Sequence, residues 1–383
     1  MKMSDNKIRV AVLYGGRSLE HEVSIRSASS VINQLDTSRF DIIPIGVDKQ
    51  GNWFLGHDVF EKSLEYQGVS RLDKTAWFSP ETIAQPPAHS TISQLTQTAE
   101  PSTTQFDVIF PVMHGSLCED GTLQGLLEMA NIPYVGCGVL SSAIGMDKDI
   151  AKRLVREAGI QVAPYFAVKQ AHWEKDPLTI SNQVREILSY PVFVKPANTG
   201  SSVGISKVKT PDKLQRAIEE AFQFDTKILI EKALNVQELE IGVLESLDPS
   251  ADPIVSVVGE IRPRHEFYSY DAKYLDENGA ELLIPASVSD KVKEKAREIA
   301  KTIFTTLECE GMARVDLFFD KDSQQIYFNE INTIPGFTQI SMYPKLMVAS
   351  GIAYPQLLTH LIELAMKRYQ LKSKLNRGHE LFS

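Results

Sequence analysis

Cysteine is scarce. The chain of 383 residues has only Cys118, Cys137 and Cys309, and none belongs to a CxxC pair. An odd total without paired spacing argues against a disulfide framework and against a cysteine-rich zinc site. Positive charge is in deficit as well: a net charge of -9 argues against nonspecific nucleic-acid binding. A phosphate ligand is still compatible with this balance, because it needs only a few local cations. No apolar run approaches the roughly 20 residues of a membrane span. The opening MKMSDNKIRVAVLYGG lacks an apolar core long enough for a signal peptide and reads as a polar tail and a first strand. The cytoplasm is therefore the expected compartment. Internal repeats and the GK[ST] ending of a P-loop are also missing.

Hydrophobic residues make up 43% of the chain, enough for packed cores in two or three domains. Ile8 to Tyr14 reads as a strand ending at Gly15-Gly16, followed by a helix over about 23–35 and the strand FDIIPIGVD. This β-loop-α-β opening predicts an open α/β domain over 1–140. Residues 81–105, rich in Pro, Ser, Thr and Gln, read as a surface excursion. A second unit, 141–238, contains a helix from SAIGMDK, two strands around ANTGSSVG, a helix over PDKLQRAIEEAF and the strand KILIEKAL. The third unit, 239–383, is interrupted by a charged, tyrosine-rich stretch at 260–282. A helix follows with Val292, Ala296, Ile299, Ile303 and Leu307 on one stripe. Beyond it come a hairpin, VDLFFDKDSQQIYFNEIN, and a last helix over about 354–369.

The hairpin carries acids among apolar residues. Alternation puts Arg314, Asp316 and Phe318 on one face of the first strand, and Phe328, Glu330 and Asn332 on one face of the second. Pairing symmetric about Ser323 sets Asp316 opposite Glu330, where like charges repel unless a cation lies between them. A donor set of oxygens alone suits magnesium or manganese. A solvated face, or neutralisation of the acids by Arg314, accounts for the same pattern, and a bulge would alter the register. In the following INTIPGF, the Pro-Gly pair would end the strand and turn Thr338 and Ser341 back toward a cleft.

NTGSSVG offers close backbone approach to a phosphate, or simply a turn. It lies between strands, so a dinucleotide fingerprint does not fit. Lys195 ends the apolar strand VFVK and Lys148 starts a helix; both are candidate phosphate clamps, and both could equally reach water. Glu231, Lys232 and Glu238 could accept or donate hydrogen bonds to a nucleotide. Glu22 could cap the helix near Val23, and His114 could be a structural histidine after its strand.

Taken together, GGRSLEHEVSIRS, PVMHGSLCEDGTLQG, GMDKDIAK, VFVKPANTGSSVGISKV, YSYDAKY, ARVDLFF and NEINTIPGFTQISMYP occur in an order that resembles the D-alanine–D-alanine ligases of the ATP-grasp superfamily. The resemblance spans the chain apart from 81–105 and the tails. It implies an α/β, three-domain ATP-grasp architecture, with nucleotide held between the central and C-terminal domains. It implies ATP, two Mg²⁺ ions or Mn²⁺, D-alanine as substrate and a homodimer, with no nucleic-acid or membrane partner. Asp316, Glu330 and Asn332 match the metal ligands. Lys148, Lys195, Gly200, Ser201, Ser202, Val203, Glu231, Lys232, Ala233, Leu234, Glu238 and Asn329 match nucleotide contacts. Glu22, Ser201 and Tyr274 match the set around the first substrate's ammonium, Lys273 the group near the transferred phosphate, and His114 and Arg314 the groups near the first carboxylate. Gly336, Ser341 and Met342 match positions around the second D-alanine. Residues 260–282, tipped by Tyr268, Tyr270 and Tyr274, match a lid, which the chemistry demands because an acyl phosphate hydrolyses in water. Tyr274 favours the dipeptide over a D-lactate product. Cys118 and Gln237 depart from common family forms without touching an assigned role.

Overall fold

The computed structural model describes residues 7–66, 77–78, 106–263 and 280–376. The excursion at 81–105, the interior of the expected lid with Lys273 and Tyr274, and the last seven residues lie outside the described residues.

Among the described residues the strands form three sheets, ordered β4-β3-β2-β1-β5, β6-β9-β7-β8 and β12-β11-β10-β13-β14. In the first, β1 (Ile8–Gly15) lies parallel to both β2 (Phe40–Val47) and β5 (Val108–Pro111). β3 (Trp53–Leu55) and β4 (Trp77–Phe78) add antiparallel strands at one edge. The β1 sequence IRVAVLYG is continuously apolar from Val10 to Tyr14 because both faces of a parallel sheet are covered. Helix α1 (His21–Gln34) turns Val23, Ile25, Ala28 and Val31 inward. Between β1 and α1 the chain turns at Gly15-Gly16, with φ of 89° and 101°. A Cβ on Gly15 would stand 2.1 Å from the Val47 carbonyl oxygen and one on Gly16 2.5 Å from Met113, so local packing requires both glycines. Along the chain follow α2 (His57–Tyr66), α3 (Thr122–Met129) and α4 (Val139–Met146).

The central sheet is antiparallel: β6 (Tyr165–Lys169), β9 (Lys227–Lys232), β7 (Val192–Pro196) and β8 (Ser206–Val208). It is covered by α6 (Gln170–Lys175), α7 (Pro177–Gln183) and α8 (Leu214–Ala221), while α5 (Lys148–Glu157) packs Ala151 and Val155 into the core of the third sheet. Asp147 caps α5, its carboxylate accepting from the Asp149 and Ile150 amides, which fixes where Lys148 begins the helix.

The third sheet contains β10 (Val236–Leu244), β11 (Ile254–Pro263), β12 (Ala280–Leu283), β13 (Met312–Asp320) and β14 (Ile326–Asn332). Leu239, Ile241, Val315 and Leu317 face a core shared with Ala296, Ile299 and Ile303 of α9 (Asp290–Thr306). On the opposite face Gly242 and Gly259 lie against Tyr343, Met347 and Leu346, and Phe318 faces Lys195 of the central sheet. Both roots of the expected lid are strand: β11 and β12 pair antiparallel, from Glu260 opposite Leu283 to Pro263 opposite Ala280. The chain ends with α10 (Met342–Ala349) and α11 (Tyr354–Ser373). Leu357, Leu361 and Leu364 of α11 join the core of Val10, Val12 and Phe110, so the end of the chain closes over the sheet that begins it.

Candidate active site

The β13–β14 register sets Asp316 opposite Glu330 and Arg314 opposite Asn332. It then shifts at a bulge, pairing Leu317 with Phe328. Sequence alternation placed Phe328 beside Glu330; the structure corrects this. Phe328 is 0% exposed in the core with Leu317, and the extra residue, Asn329, is inserted between it and Glu330. The bulge brings Asn329 into line with Lys195, whose Nζ donates to its Oδ1 at 3.4 Å. Arg314 donates to both Asp316 oxygens at 2.7 Å and approaches Glu240 Oε2 at 3.1 Å. Burial opposes the Arg314 charge, but Asp316 and Glu240 hold its pKa well above the ordinary value. The Asn332 amide donates to Asp316 Oδ2 at 3.0 Å. Glu240 lies opposite Asp316 on β10, with Glu238 two residues away on the same face.

The central domain supplies the facing wall. Lys148 Nζ reaches Glu330 Oε2 at 3.2 Å and donates to the Thr199 carbonyl at 2.5 Å, linking the hairpin to the glycine-rich loop. Within that loop Ser201, Ser202 and Gly204 all have positive φ, of 51°, 61° and 70°. The side chain of Thr199 bonds the Val203 carbonyl. Lys195 Nζ donates to Glu231 Oε1 at 2.6 Å and sits 5.7 Å above the Phe318 ring, so it too spans the gap between sheets. Lys232, Ala233 and Leu234 continue from β9 into the link to β10, where the Ala233 amide bonds the Pro191 carbonyl.

From the first domain come Glu20 and His114. Ser201 Oγ donates to Glu20, which is 7% exposed. The carboxylate lies close to Gly115 and Gly200, where a Cβ would meet it at 2.8 Å and 3.2 Å. Glu22 does not enter this cleft: its side chain is 36% exposed and takes Lys49 Nζ at 2.6 Å. The signal was available in the sequence. The buried stripe of α1 runs through Val23, Ser24, Ser27 and Val31, and Glu22 lies off it together with exposed Arg26. His114 sits with Nδ1 3.1 Å from the Ile334 carbonyl and Nε2 3.1 Å from Ser27 Oγ. Burial disfavours its protonation, but Glu119 3.8 Å away, Glu20 and the Ile334 carbonyl leave its pKa raised. Ser27 Oγ also receives the Phe337 amide, tying α1 to the loop after β14. In that loop Thr338 and Ser341 bond each other, with their hydroxyls 2.7 Å apart, and a Cβ on Gly336 would meet Ser341 Oγ at 2.7 Å. Met342 is buried beneath, against Gly259.

Lysines of the central domain thus face the acidic hairpin, and Glu20 of the first domain bonds the glycine-rich loop beside them. Profiles described as the D-ala D-ala ligase N-terminus and C-terminus match residues 9–137 and 154–363. The chain belongs to the D-alanine–D-alanine ligase family. It is 47% identical over 377 residues to D-alanine–D-alanine ligase A of Bradyrhizobium diazoefficiens, covering 98% of this chain and 99% of that one. With D-alanine–D-alanine ligase A of Escherichia coli it shares 43% identity over 372 residues, 96% of this chain and 98% of the other. Among solved structures, a D-Ala:D-Ser ligase from Enterococcus faecalis is 38% identical with a TM-score of 0.79, covering 94% of this chain and all of that one. The D-alanine–D-alanine ligase of Coxiella burnetii is 33% identical with a TM-score of 0.78, covering 98% and 99%. The family's ATP-grasp fold is the three-domain α/β arrangement described above.

Proposed function

We propose that this enzyme joins two D-alanines into D-alanyl-D-alanine, using ATP, for peptidoglycan precursor synthesis. Family membership over nearly the whole chain supports the activity. The observation that carries the site reading is the convergence of Glu20 with Ser201, Lys148 with Glu330, and Lys195 with Asn329 around one cleft.

A carboxylate is a poor electrophile because oxide is not expelled from it. The first D-alanine carboxylate therefore attacks the γ-phosphorus of ATP, giving D-alanyl phosphate and ADP. The amine of the second D-alanine, once deprotonated, attacks the acyl carbon, and phosphate leaves. We assign the first ammonium to Glu20 with Ser201, in place of Glu22. Lys148 and the backbone of 199–204 would hold the phosphates, and Lys195, Glu231 to Leu234, Glu238 and Asn329 the rest of the nucleotide. Arg314, a cation, and His114, whose pKa is raised, would face the carboxylate as it approaches an anion, and Arg314 would meet the negative charge that develops at the acyl centre. Gly336, Ser341 and Met342 would border the second D-alanine.

Asp316, Glu330 and Asn332 offer hard oxygen donors in register on one face of the hairpin, which fits Mg²⁺ or Mn²⁺. Among the described residues no group of three or more His, Cys, Asp or Glu side chains is placed to hold a metal ion. When bound, such ions would neutralise the charge that develops on phosphoryl transfer. The Asn332 amide, now donating to Asp316, would turn its oxygen toward the ion. The domains are read as 1–140, 141–238 and 239–383, the assembly as a homodimer and the compartment as the cytoplasm. No helix among the described residues is long and apolar enough to cross a membrane.

The test is direct. Purified protein with ATP, Mg²⁺ and D-alanine should release phosphate and yield the dipeptide by mass spectrometry. Turnover only with D-lactate, D-serine or an L-amino acid added would overturn the substrate assignment.

A further inference from the structure

Lys152 closes the stretch GMDKDIAK without an assigned role there, yet it is among the largest side chains the fold buries completely, at 1% exposed. It stands one turn after Lys148 on α5. Its ammonium lies 2.8 Å from Glu231 Oε2 and donates to the Phe328 carbonyl at 3.1 Å, 5.7 Å above the Phe328 ring. The other Glu231 oxygen takes Lys195 at 2.6 Å. One carboxylate is thus shared by two lysines, and Lys152 also touches the residue that precedes the Asn329–Glu330 bulge.

The charge balance gives this arrangement a purpose. Lys195 paired with Glu231 alone would be a neutral couple facing the nucleotide. Two ammonium groups around one carboxylate leave one net positive charge, buried where it is weakly screened. We infer that Lys152 is a positioning residue for ATP: it offsets Glu231 from behind, so that Lys195 presents an uncompensated charge to the nucleotide while remaining held in place. Burial alone would raise the Glu231 pKa; Lys152 and then Lys195 bring it down to about 2, so the carboxylate stays ionised between them at neutral pH. Burial and the neighbouring Lys195 lower the pKa of Lys152, and Glu231 opposes that fall.

This inference rests on the ligase reading only in taking ATP as the nucleotide, and its test measures binding rather than ligation. Titration calorimetry with ADP and Mg²⁺, without D-alanine, is compared for wild type, Lys152→Met and Lys152→Met/Glu231→Gln. Removing one unit of charge near the nucleotide should weaken ADP about tenfold in K152M. The double variant returns the cluster to one net positive charge, so ADP should bind it several-fold more tightly than K152M, short of wild type because Glu231 itself borders the nucleotide. The KM for ATP should rise in K152M by the same factor as the Kd for ADP, with the KM for the first D-alanine unchanged. A K152M protein that binds ADP like wild type overturns the inference, as does a double variant that binds worse than K152M, the outcome of a purely structural role. Should K152M not fold, the step is read in the E231Q background. There, adding K152M lowers the local charge from two positives to one and must again weaken ADP; no change would sink the idea. Dipeptide synthesis by wild type stands or falls separately.

Discussion

At the closed end of the cleft the Glu231 side chain is 2% exposed between two lysines; at the hairpin the Glu330 side chain is 21% exposed and Asp316 12%. Both clusters set acids against cations, but the buried one has its partners in place on strands and a helix of the central domain. The hairpin cluster is held by groups from several elements: Arg314 from the same strand, Lys148 from the facing domain and an amide that can rotate. A buried ion set tolerates little change, because each member offsets another's desolvation. A partly open set can exchange an internal cation for an incoming one at small cost. The molecule thus separates a fixed electrostatic floor, at Lys152–Glu231–Lys195, from a rearrangeable wall, at Arg314–Asp316–Glu330–Asn332.

Substitution at the wall should strike chemistry and spare the fold. Glu330→Gln removes one of two carboxylates from the proposed cation site, and turnover should fall by about 1000-fold, the range seen when a major electrostatic contact to a transition state is lost. Its melting temperature should stay near wild type, since Glu330 is partly exposed. Steady-state phosphate release and a thermal melt decide the matter; retained activity would remove the metal reading.

At the floor the opposite pattern is expected. Glu231→Gln leaves Lys152 and Lys195 buried without their counter-charge, and should cost about 3–5 kcal/mol of stability. The pH dependence has a definite sign. Glu231 titrates at about 2 when folded, below the ordinary 4.5. Its contribution is complete above about 4.5 and is lost as pH falls toward about 2. Denaturant melts of wild type and E231Q should therefore differ most near neutrality and converge on acidification. A constant gap would show that the charge of Glu231 is not what stabilises the floor.

A third substitution tests how the first domain joins the wall. Glu20→Gln weakens the acceptor for Ser201 and for the proposed substrate ammonium. Losing a charged hydrogen bond of about 1.5–3 kcal/mol corresponds to roughly a 10- to 150-fold rise in the KM for the first D-alanine. Initial rates across D-alanine concentration at saturating ATP would show it. An unchanged KM would return the assignment to another acid.

The floor and the wall were unequally legible from sequence. Period-two alternation located Asp316 and Glu330; their pairing followed from symmetry about Ser323, and in the structure it is the bulge at Asn329 that brings them opposite each other. Alternation failed at Phe328, since an inserted bulge residue reverses the alternation and leaves no mark in composition. Lys195 lay at the end of an apolar strand just before the GSSV loop, and Lys148 at the start of a helix, places where a side chain can reach a cleft. Lys152 was not found: a lysine on an amphipathic helix reads as solvent-facing until the tertiary fold brings Glu231 beside it. Packing of α11 on the first sheet was equally hidden, since an apolar stripe does not name the surface it covers.

The smallest effect is the one that separates Glu20 from its neighbour. Glu22→Gln breaks an ion pair with Lys49 in which both side chains are more than a third exposed. Side-chain entropy and salt screening reduce such pairs to about 0.5 kcal/mol or less. The Glu22 pKa also reflects this exposure: partial burial raises it, and the Lys49 contact outweighs that and leaves it lowered. With no contact across the cleft to lose, E22Q should leave the KM for D-alanine within twofold of wild type, while E20Q shifts it by at least tenfold. Measured side by side, the two variants test whether the acid that begins α1 or the one a residue inside it faces the substrate. A large KM effect in E22Q would place Glu22 in the cleft after all and detach Ser201 from the ammonium site.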